Sequence, residues 1–251
     1  MIHFLKILRS CFFILCIVIY TLVCGTIVLL LFTFLGRGRY LDLTTRIWIR
    51  LILWTCRVKV TAEGLDNLEN GKKYLFVANH QSLFDIPACI AGIPAQLRML
   101  AKKELFRIPF FGWGIWVIGH ISIDRENREK AIASLERAVE RLKKEDISPV
   151  VYPEGTRSPD GKIHAFKKGA FVLAMKSGRP VVPVAIVGSR AVLPKKSVVI
   201  NPGHIHVIIN KPIAADDKDY SDRSTLAKKA QSIIEKSFYK AANTANMNSP
   251  D

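Results

Sequence analysis

Apolar residues run without a charge from Ser10 to Gly36, with Lys6 and Arg9 before the run and Arg37 and Arg39 behind it. As a helix rising ~1.5 Å per residue, the run extends about 40 Å, enough to enter or cross a hydrocarbon layer ~30 Å thick. It is too long for the apolar core of a cleaved signal, and no small-x-small site follows it. The next segment has a different pattern. Arg46, Arg50 and Arg57 project within about 40° of one another on a helix, while Leu43, Ile47, Trp48, Ile49, Leu51, Ile52, Leu53 and Trp54 cover the rest. A mostly apolar helix with a basic stripe and two tryptophans suits the headgroup boundary of a membrane. A core helix with one wet edge fits the same pattern. Residues 1–59 are therefore expected to form a two-helix membrane-associated segment. The positive charges that follow the first helix place the remainder on the cytoplasmic side.

Beyond Val60 short apolar runs alternate with helical periodicity. Strands are expected at 73–78, 97–101, 120–124, 148–152, 181–187 and 204–210. Ala131, Leu135, Ala138, Val139 and Leu142 recur at helical spacing and predict a helix over ~126–145. Further helices are expected at ~164–178 and ~222–241, the last capped by Asp222 or Ser224. Such alternation predicts an α/β domain over residues 60–241, with a mixed or largely parallel sheet covered by helices, and a frayed tail at 242–251. Ligands of open α/β sheets usually sit at strand ends. The segment Phe106–Gly119, rich in aromatics and glycine, fits a groove for an acyl chain, a surface resting on a bilayer, or ordinary core.

Charge narrows the partners. The 251 residues carry 37 Lys+Arg against 21 Asp+Glu, a net +16. That excess points to an anionic membrane surface or a phosphorylated substrate. Nucleic acid fits poorly, because the basic residues are dispersed and 49% of the chain is hydrophobic. The five cysteines, at 11, 16, 24, 56 and 89, show no paired spacing, so neither a disulfide framework nor a zinc site is expected.

Two constellations carry chemistry. In Asn79-His80-Gln81-Ser82-Leu83-Phe84-Asp85 a histidine and a carboxylate stand five residues apart, directly after the apolar run Tyr74–Ala78. Imidazole accepts protons near neutral pH, and a carboxylate can fix its tautomer. On one continuous helix the two side chains would point about 140° apart. They meet only if the chain turns between them, as where a strand leads into a helix. Ser82 with Asp85 three positions later also reads as a capping box, in which Asp85 serves only the helix start. No Gly-x-Ser-x-Gly elbow is present, so His80 is read as activating a hydroxyl of the substrate. The second constellation, Tyr152-Pro153-Glu154-Gly155-Thr156-Arg157-Ser158, is a turn that displays an acid, a hydroxyl and a guanidinium able to fork onto phosphate.

Those two motifs occur in order with Gly119-His120-Ile121-Ser122-Ile123-Asp124-Arg125 and Val182-Pro183-Val184-Ala185-Ile186. The set, spanning residues ~70–190, resembles the glycerolipid acyltransferase family, and most closely its bacterial 1-acyl-sn-glycerol-3-phosphate acyltransferases. Tyr152 departs mildly, standing where Phe or Leu is more usual, a change expected not to affect chemistry. The resemblance implies transfer of a fatty acyl group from acyl-CoA or acyl carrier protein to the sn-2 hydroxyl of 1-acylglycerol 3-phosphate, forming phosphatidic acid at the bacterial inner membrane. It implies His80 as general base oriented by Asp85, with no acyl-enzyme. Arg125, Glu154, Gly155, Thr156, Arg157 and Lys103 would form the substrate-binding set, with no metal and no bound cofactor. Rival readings are another acceptor (glycerol 3-phosphate or a lyso-aminolipid), a lipid hydrolase, or a noncatalytic lipid-binding protein.

Overall fold

Runs of Val, Ile and Leu too short for stable helices pair side by side, and the longer periodic stretches pack across them. The structure, a computed structural model, describes residues 2–124, 127–215 and 223–247. Seven strands form one sheet: β1 (Val58–Glu63), β2 (Leu75–Ala78), β3 (Leu97–Lys102), β4 (Ile121–Ile123), β5 (Ser148–Val151), β6 (Val181–Val187) and β7 (Gly203–Ile209). Their spatial order is β1-β7-β6-β2-β5-β3-β4. Neighbours run parallel except β6 and β7, which are antiparallel. The sheet is thus mixed and largely parallel, as expected, and all six expected strands are present. β1 is additional; its Val-Lys-Val-Thr-Ala-Glu sequence falls across the expected boundary at residue 59.

The helices are α1 (Ile2–Leu35), α2 (Arg39–Thr55), α3 (Asp85–Gly92), α4 (Phe111–Ile118), α5 (Arg128–Lys144), α6 (Gly169–Ser177), α7 (Ser189–Val192) and α8 (Arg223–Met247). Alternation along the strands divides the core in two. Phe76, Ala78, Val182, Val184 and Ile186 pack with α2 and α3, whereas Leu75, Val77, Val181 and Ala185 pack with α5, α6 and α8. Central strands buried on both faces are what parallel pairing requires.

The helix expected at ~126–145 is present as α5, and two other helix expectations change. α5 begins where Asn127 Oδ1 accepts from the N–H of Glu129 and Lys130. α6 is shorter than 164–178 and begins at Gly169; the main chain ahead of it is tied into tertiary contacts instead. His164 N–H goes to Glu154 Oε2, Phe166 N–H to Gln231 Oε1 and Lys167 N–H to the Pro153 carbonyl. α8 runs past 241 to Met247, so residues 242–247 are helix; Asp222 lies outside the described residues, and Ser224 is inside the helix.

The N-terminal helices are not a detached anchor. Near its start α1 is held by Arg9, which donates to the Ile200 carbonyl at 3.1 Å, and by Ser10 Oγ, which accepts from Ile200 N–H at 3.0 Å. Near its end Phe32 meets the Trp116 ring edge-on, centroids 5.8 Å apart. The helix therefore lies along the domain. Its other face is bare: Phe4, Leu8, Phe12, Leu15 and Phe34 are exposed. In α2, Ile49, Ile52 and Leu53 join the main core, while Leu43, Ile47, Arg50 and Trp54 stay outside. The expected three-arginine stripe does not form. Arg46 turns inward and donates to the carbonyls of Ile90, Ile93 and Ala95. Arg57 stands beyond the helix with φ 53°.

Candidate active site

The sheet order brings the carboxyl ends of β6, β2 and β5 together, and both sequence constellations leave from those ends. Asn79, fully buried, extends the β2–β6 pairing with its side chain. Its Oδ1 accepts from Ile186 N–H at 2.8 Å and its Nδ2 donates to the Ile186 carbonyl at 2.9 Å. This anchors the chain just before it turns away. Ser82 Oγ donates to the Leu193 carbonyl at 2.8 Å and accepts from Phe84 N–H at 3.1 Å. Residues 79–84 are therefore a tethered loop, with α3 starting at Asp85.

The turn resolves the angular problem of a five-residue spacing. His80 Nδ1 and Asp85 Oδ2 are 2.7 Å apart, with the side chains 14% and 0% exposed. The same oxygen accepts from Gln81 N–H at 2.7 Å and Ser82 N–H at 2.9 Å. Asp85 thus caps the turn and holds the histidine at once, so the capping and orienting readings describe one carboxylate. An acceptor on Nδ1 puts the ring proton there and leaves Nε2 as the basic nitrogen. Nε2 has no hydrogen-bond partner among the described residues. A second histidine–aspartate contact, His164 Nε2 to Asp160 Oδ1 at 2.9 Å, has both side chains nearly half exposed and lacks this enclosure.

Tyr152 is closer to the chemistry than its sequence position suggests. Its ring stacks on His80 with centroids 4.1 Å apart and planes 20° apart. The ring serves as Phe would. The hydroxyl is directed to Cys89 Sγ, 3.8 Å away and buried.

Glu154 ties the two constellations together. Oε1 accepts from His80 N–H at 2.7 Å, and Oε2 accepts from His164 N–H at 3.1 Å. Burial raises the carboxyl above its ordinary range, and the two main-chain donors partly offset that. Ser158 N–H donates back to the His80 carbonyl at 2.7 Å. With both oxygens occupied, Glu154 holds the loop in place. Gly155 has φ 75°, a conformation costly for any side chain. Thr156 is exposed and accepts from Lys195 Nζ at 3.1 Å. Arg157 is half-exposed with no partner among the described residues. Lys103 lies farther along the same carboxyl edge, where it contacts Asp124 Oδ2 at 2.8 Å. Arg125 lies outside the described residues. Asn79, Lys167 and Lys195 were not singled out from sequence, because the contacts that bring them to the site are tertiary.

An apolar pocket opens beside this site, between α1, α2, α3, β3 and α4, with a cavity of ≈ 120 Å³. Cys24, Val28, Trp48, Ile90, Met99 and Ile115 line it, and so does Ile86, the residue after Asp85. Thr21, Thr44 and Thr45 line the wall as well, as does His120. Its Nδ1 accepts from Met99 N–H at 3.2 Å. Removal from water, reinforced by Arg98 and Arg141, pushes the imidazole down to about 3, so it is neutral. In the aromatic segment Phe111, Gly114 and Ile115 face the pocket, while Trp113 and Trp116 are exposed.

Residues 59–187 match the family described as Acyltransferase. The chain is 33% identical over 199 residues to a chloroplastic 1-acyl-sn-glycerol-3-phosphate acyltransferase of Arabidopsis thaliana, covering 78% of this chain and 55% of that one. It is 29% identical over 202 residues to a 1-acyl-sn-glycerol-3-phosphate acyltransferase of Pseudomonas aeruginosa, covering 79% and 77%. The crystal structure of the 1-acyl-sn-glycerophosphate (LPA) acyltransferase PlsC from Thermotoga maritima superposes with a TM-score of 0.81 at 31% identity, covering 96% of this chain and 98% of that one. The chain spans about half the length of the plant and algal relatives it matches.

Proposed function

The chain belongs to the acyltransferase family, and from that premise we propose that it transfers a fatty acyl group from a thioester to the sn-2 hydroxyl of 1-acyl-sn-glycerol 3-phosphate. The product is phosphatidic acid, a step of phospholipid biosynthesis. One observation carries the reading. His80 is oriented through Nδ1 by Asp85, and the hydroxyls of Ser82 and Tyr152 beside it are buried and directed to the Leu193 carbonyl and Cys89 Sγ. The hydroxyl that Nε2 activates then belongs to the substrate.

In this scheme Nε2 takes the proton as the sn-2 oxygen attacks the thioester carbonyl. The C–O bond forms, the C–S bond breaks, and the imidazolium returns the proton to the departing thiolate. Asp85 stabilises the imidazolium meanwhile, and no acyl-enzyme forms. Arg157 binds the acceptor phosphate, a role Arg125 shares; Glu154 and Gly155 shape the turn that presents Arg157. Lys103, paired with Asp124, lies farther along the same carboxyl edge and joins the substrate-binding set. The apolar pocket takes an acyl chain, and no cofactor is needed beyond the donor, acyl-CoA or acyl carrier protein.

The bare faces of α1, α2 and α4 present one side of the molecule to the bilayer. Since α1 is docked near both of its ends, it enters one leaflet, the cytoplasmic one, and does not carry the chain across. High salt and carbonate are expected to leave the protein on membranes, and detergent to release it; full recovery in a salt wash would reduce the attachment to surface charge.

The decisive measurement is an acceptor screen on detergent-solubilised protein with labelled acyl donor and lipid analysis. The expected outcome is phosphatidic acid formed only when 1-acylglycerol 3-phosphate is supplied. Product with glycerol 3-phosphate or a lyso-aminolipid alone would move the acceptor within the family. Free fatty acid without any acceptor would mark a hydrolase.

A further inference from the structure

The turn after Glu154 collects positive charge that the roles above do not use. Lys167 reaches it from the loop before α6, its main chain fixed by N–H donation to the Pro153 carbonyl at 2.9 Å. A methyl group on Gly155 would lie 2.9 Å from Lys167 Nζ, so the ammonium stands in the space a side chain would fill. Lys195 arrives from the loop after α7 and donates to Thr156 Oγ1 at 3.1 Å. Arg157 follows in the chain. Among the described residues, no carboxylate oxygen lies within 4.0 Å of the charged nitrogens of these three side chains. Glu154, the acid beside them, is buried with both oxygens bound to main-chain donors.

Three like charges gathered on three consecutive residues repel one another unless an anion joins them. A phosphate monoester carries close to two negative charges near neutral pH and three strong acceptor oxygens. Position decides which phosphate fits. The turn is bound to His80 on both sides, through Glu154 Oε1 to His80 N–H and through Ser158 N–H to the His80 carbonyl, each at 2.7 Å. In the acceptor, four bonds separate the reacting oxygen from phosphorus, at most ~5 Å. In a phosphopantetheine donor about thirteen bonds intervene, roughly 16 Å when extended. A cluster beside the base matches the acceptor.

We propose that Lys167 and Lys195 complete, with Arg157, a three-cation cradle for the phosphate monoester of the acyl acceptor, and that Gly155 lacks a side chain so that the Lys167 ammonium can reach it. This rests on the acyl-transfer reading and adds two binding residues to it. The loop that carries Lys195 reaches the site because β6 lies next to β2 in the sheet.

The test uses full-length protein in mixed micelles with 1-oleoylglycerol 3-phosphate and whichever oleoyl thioester the wild type accepts. Lys167→Met and Lys195→Met are expected to raise the acceptor KM about tenfold each, the order of one charge-assisted hydrogen bond. The donor KM and kcat should stay within about threefold of wild type by the same reasoning, since neither lysine touches the thioester. Lys167→Arg, which keeps the charge, should restore the acceptor KM. A rise confined to the donor KM would assign the cluster to the donor's phosphates and overturn the proposal. So would folded variants with both KM values unchanged, or a loss of kcat alone. A wild type that forms no phosphatidic acid overturns the acyl-transfer reading and this one with it, whereas an active enzyme indifferent to both lysines overturns the cradle only.

Discussion

Replacing His80 by alanine is expected to lower kcat by about 10²–10⁴, the usual worth of a positioned general base, while the protein still folds and binds membranes. The side chain can be removed with little structural cost. Its loop is held by main-chain contacts from Glu154 and Ser158 and by the Asn79 and Ser82 side chains, none of which involves the imidazole. Asp85→Asn is a finer probe of the same pair. The amide oxygen can still accept from His80 Nδ1 and the N–H of Gln81 and Ser82. The amide NH2 then occupies the place of Oδ1, which is buried with no partner among the described residues. Shape is kept but the charge facing the imidazolium is lost, so kcat is expected to fall about 10²-fold or more. Steady-state rates at saturating substrate, with circular dichroism to confirm folding, check both variants. More than about a tenth of wild-type kcat in His80→Ala would remove the proposed base, and a covalent acylated protein trapped on the reaction path would remove direct transfer.

Deleting residues 1–59 is expected to leave a chain that does not fold, a stronger effect than loss of membrane contact alone. The core is continuous across residue 59. Ile49, Ile52, Leu53 and Cys56 are 1%, 5%, 6% and 0% exposed and pack with α3 and the central strands. Burying a large apolar side chain contributes about 1.5–3 kcal/mol, so the three aliphatic residues alone approach the ~5–15 kcal/mol that holds a domain folded. The cut also strands Arg98, 8% exposed, whose guanidinium meets Asp42 Oδ1 at 2.6 Å. The carbonyls that Arg46 gathers at the end of α3 lose their donor as well. Deleting residues 1–35 is the contrasting variant: it removes α1 alone and is expected to fold with a lower melting temperature and to work poorly on bilayer substrate. Thermal unfolding by circular dichroism separates the cases. A cooperative transition of the shorter chain at the wild-type temperature would show that the helices are a dispensable anchor after all.

Much of this was legible along the chain because it is encoded locally. Runs such as Leu75–Ala78 and Val181–Val187 are short and apolar throughout, which suits central strands buried on both faces. Ala138, Val139 and Leu142 repeat at helical spacing and became one buried face of α5. The uncharged run from Ser10 to Gly36 requires burial in something apolar whatever the fold does. His80, Asp85 and the turn at 153–158 were recognisable because each motif is compact in sequence. β1 and α4 were missed: β1 mixes charged with apolar residues at the sheet edge, and α4 carries two glycines in eight residues, a weak helical signal.

What the sequence by itself determined, then, was which segments become strands, which must be buried, and which side chains can do proton chemistry. Only the tertiary structure decided which of them meet. Five residues on a helix would have kept His80 from Asp85; the turn pinned by Asn79 and Ser82 brought them to 2.7 Å. Arg46 read as a lipid-facing charge until α3 ended beneath it. α1 read only as an apolar run able to enter or cross a membrane; its docking rests on Arg9 and Ile200, 191 residues apart. Glu154 bonds a main-chain donor 74 residues distant. Periodicity and composition report the demands of a segment over a few turns of chain. The identity of a partner so far off depends on which strands become neighbours, and that is settled by the packing of the whole sheet at once.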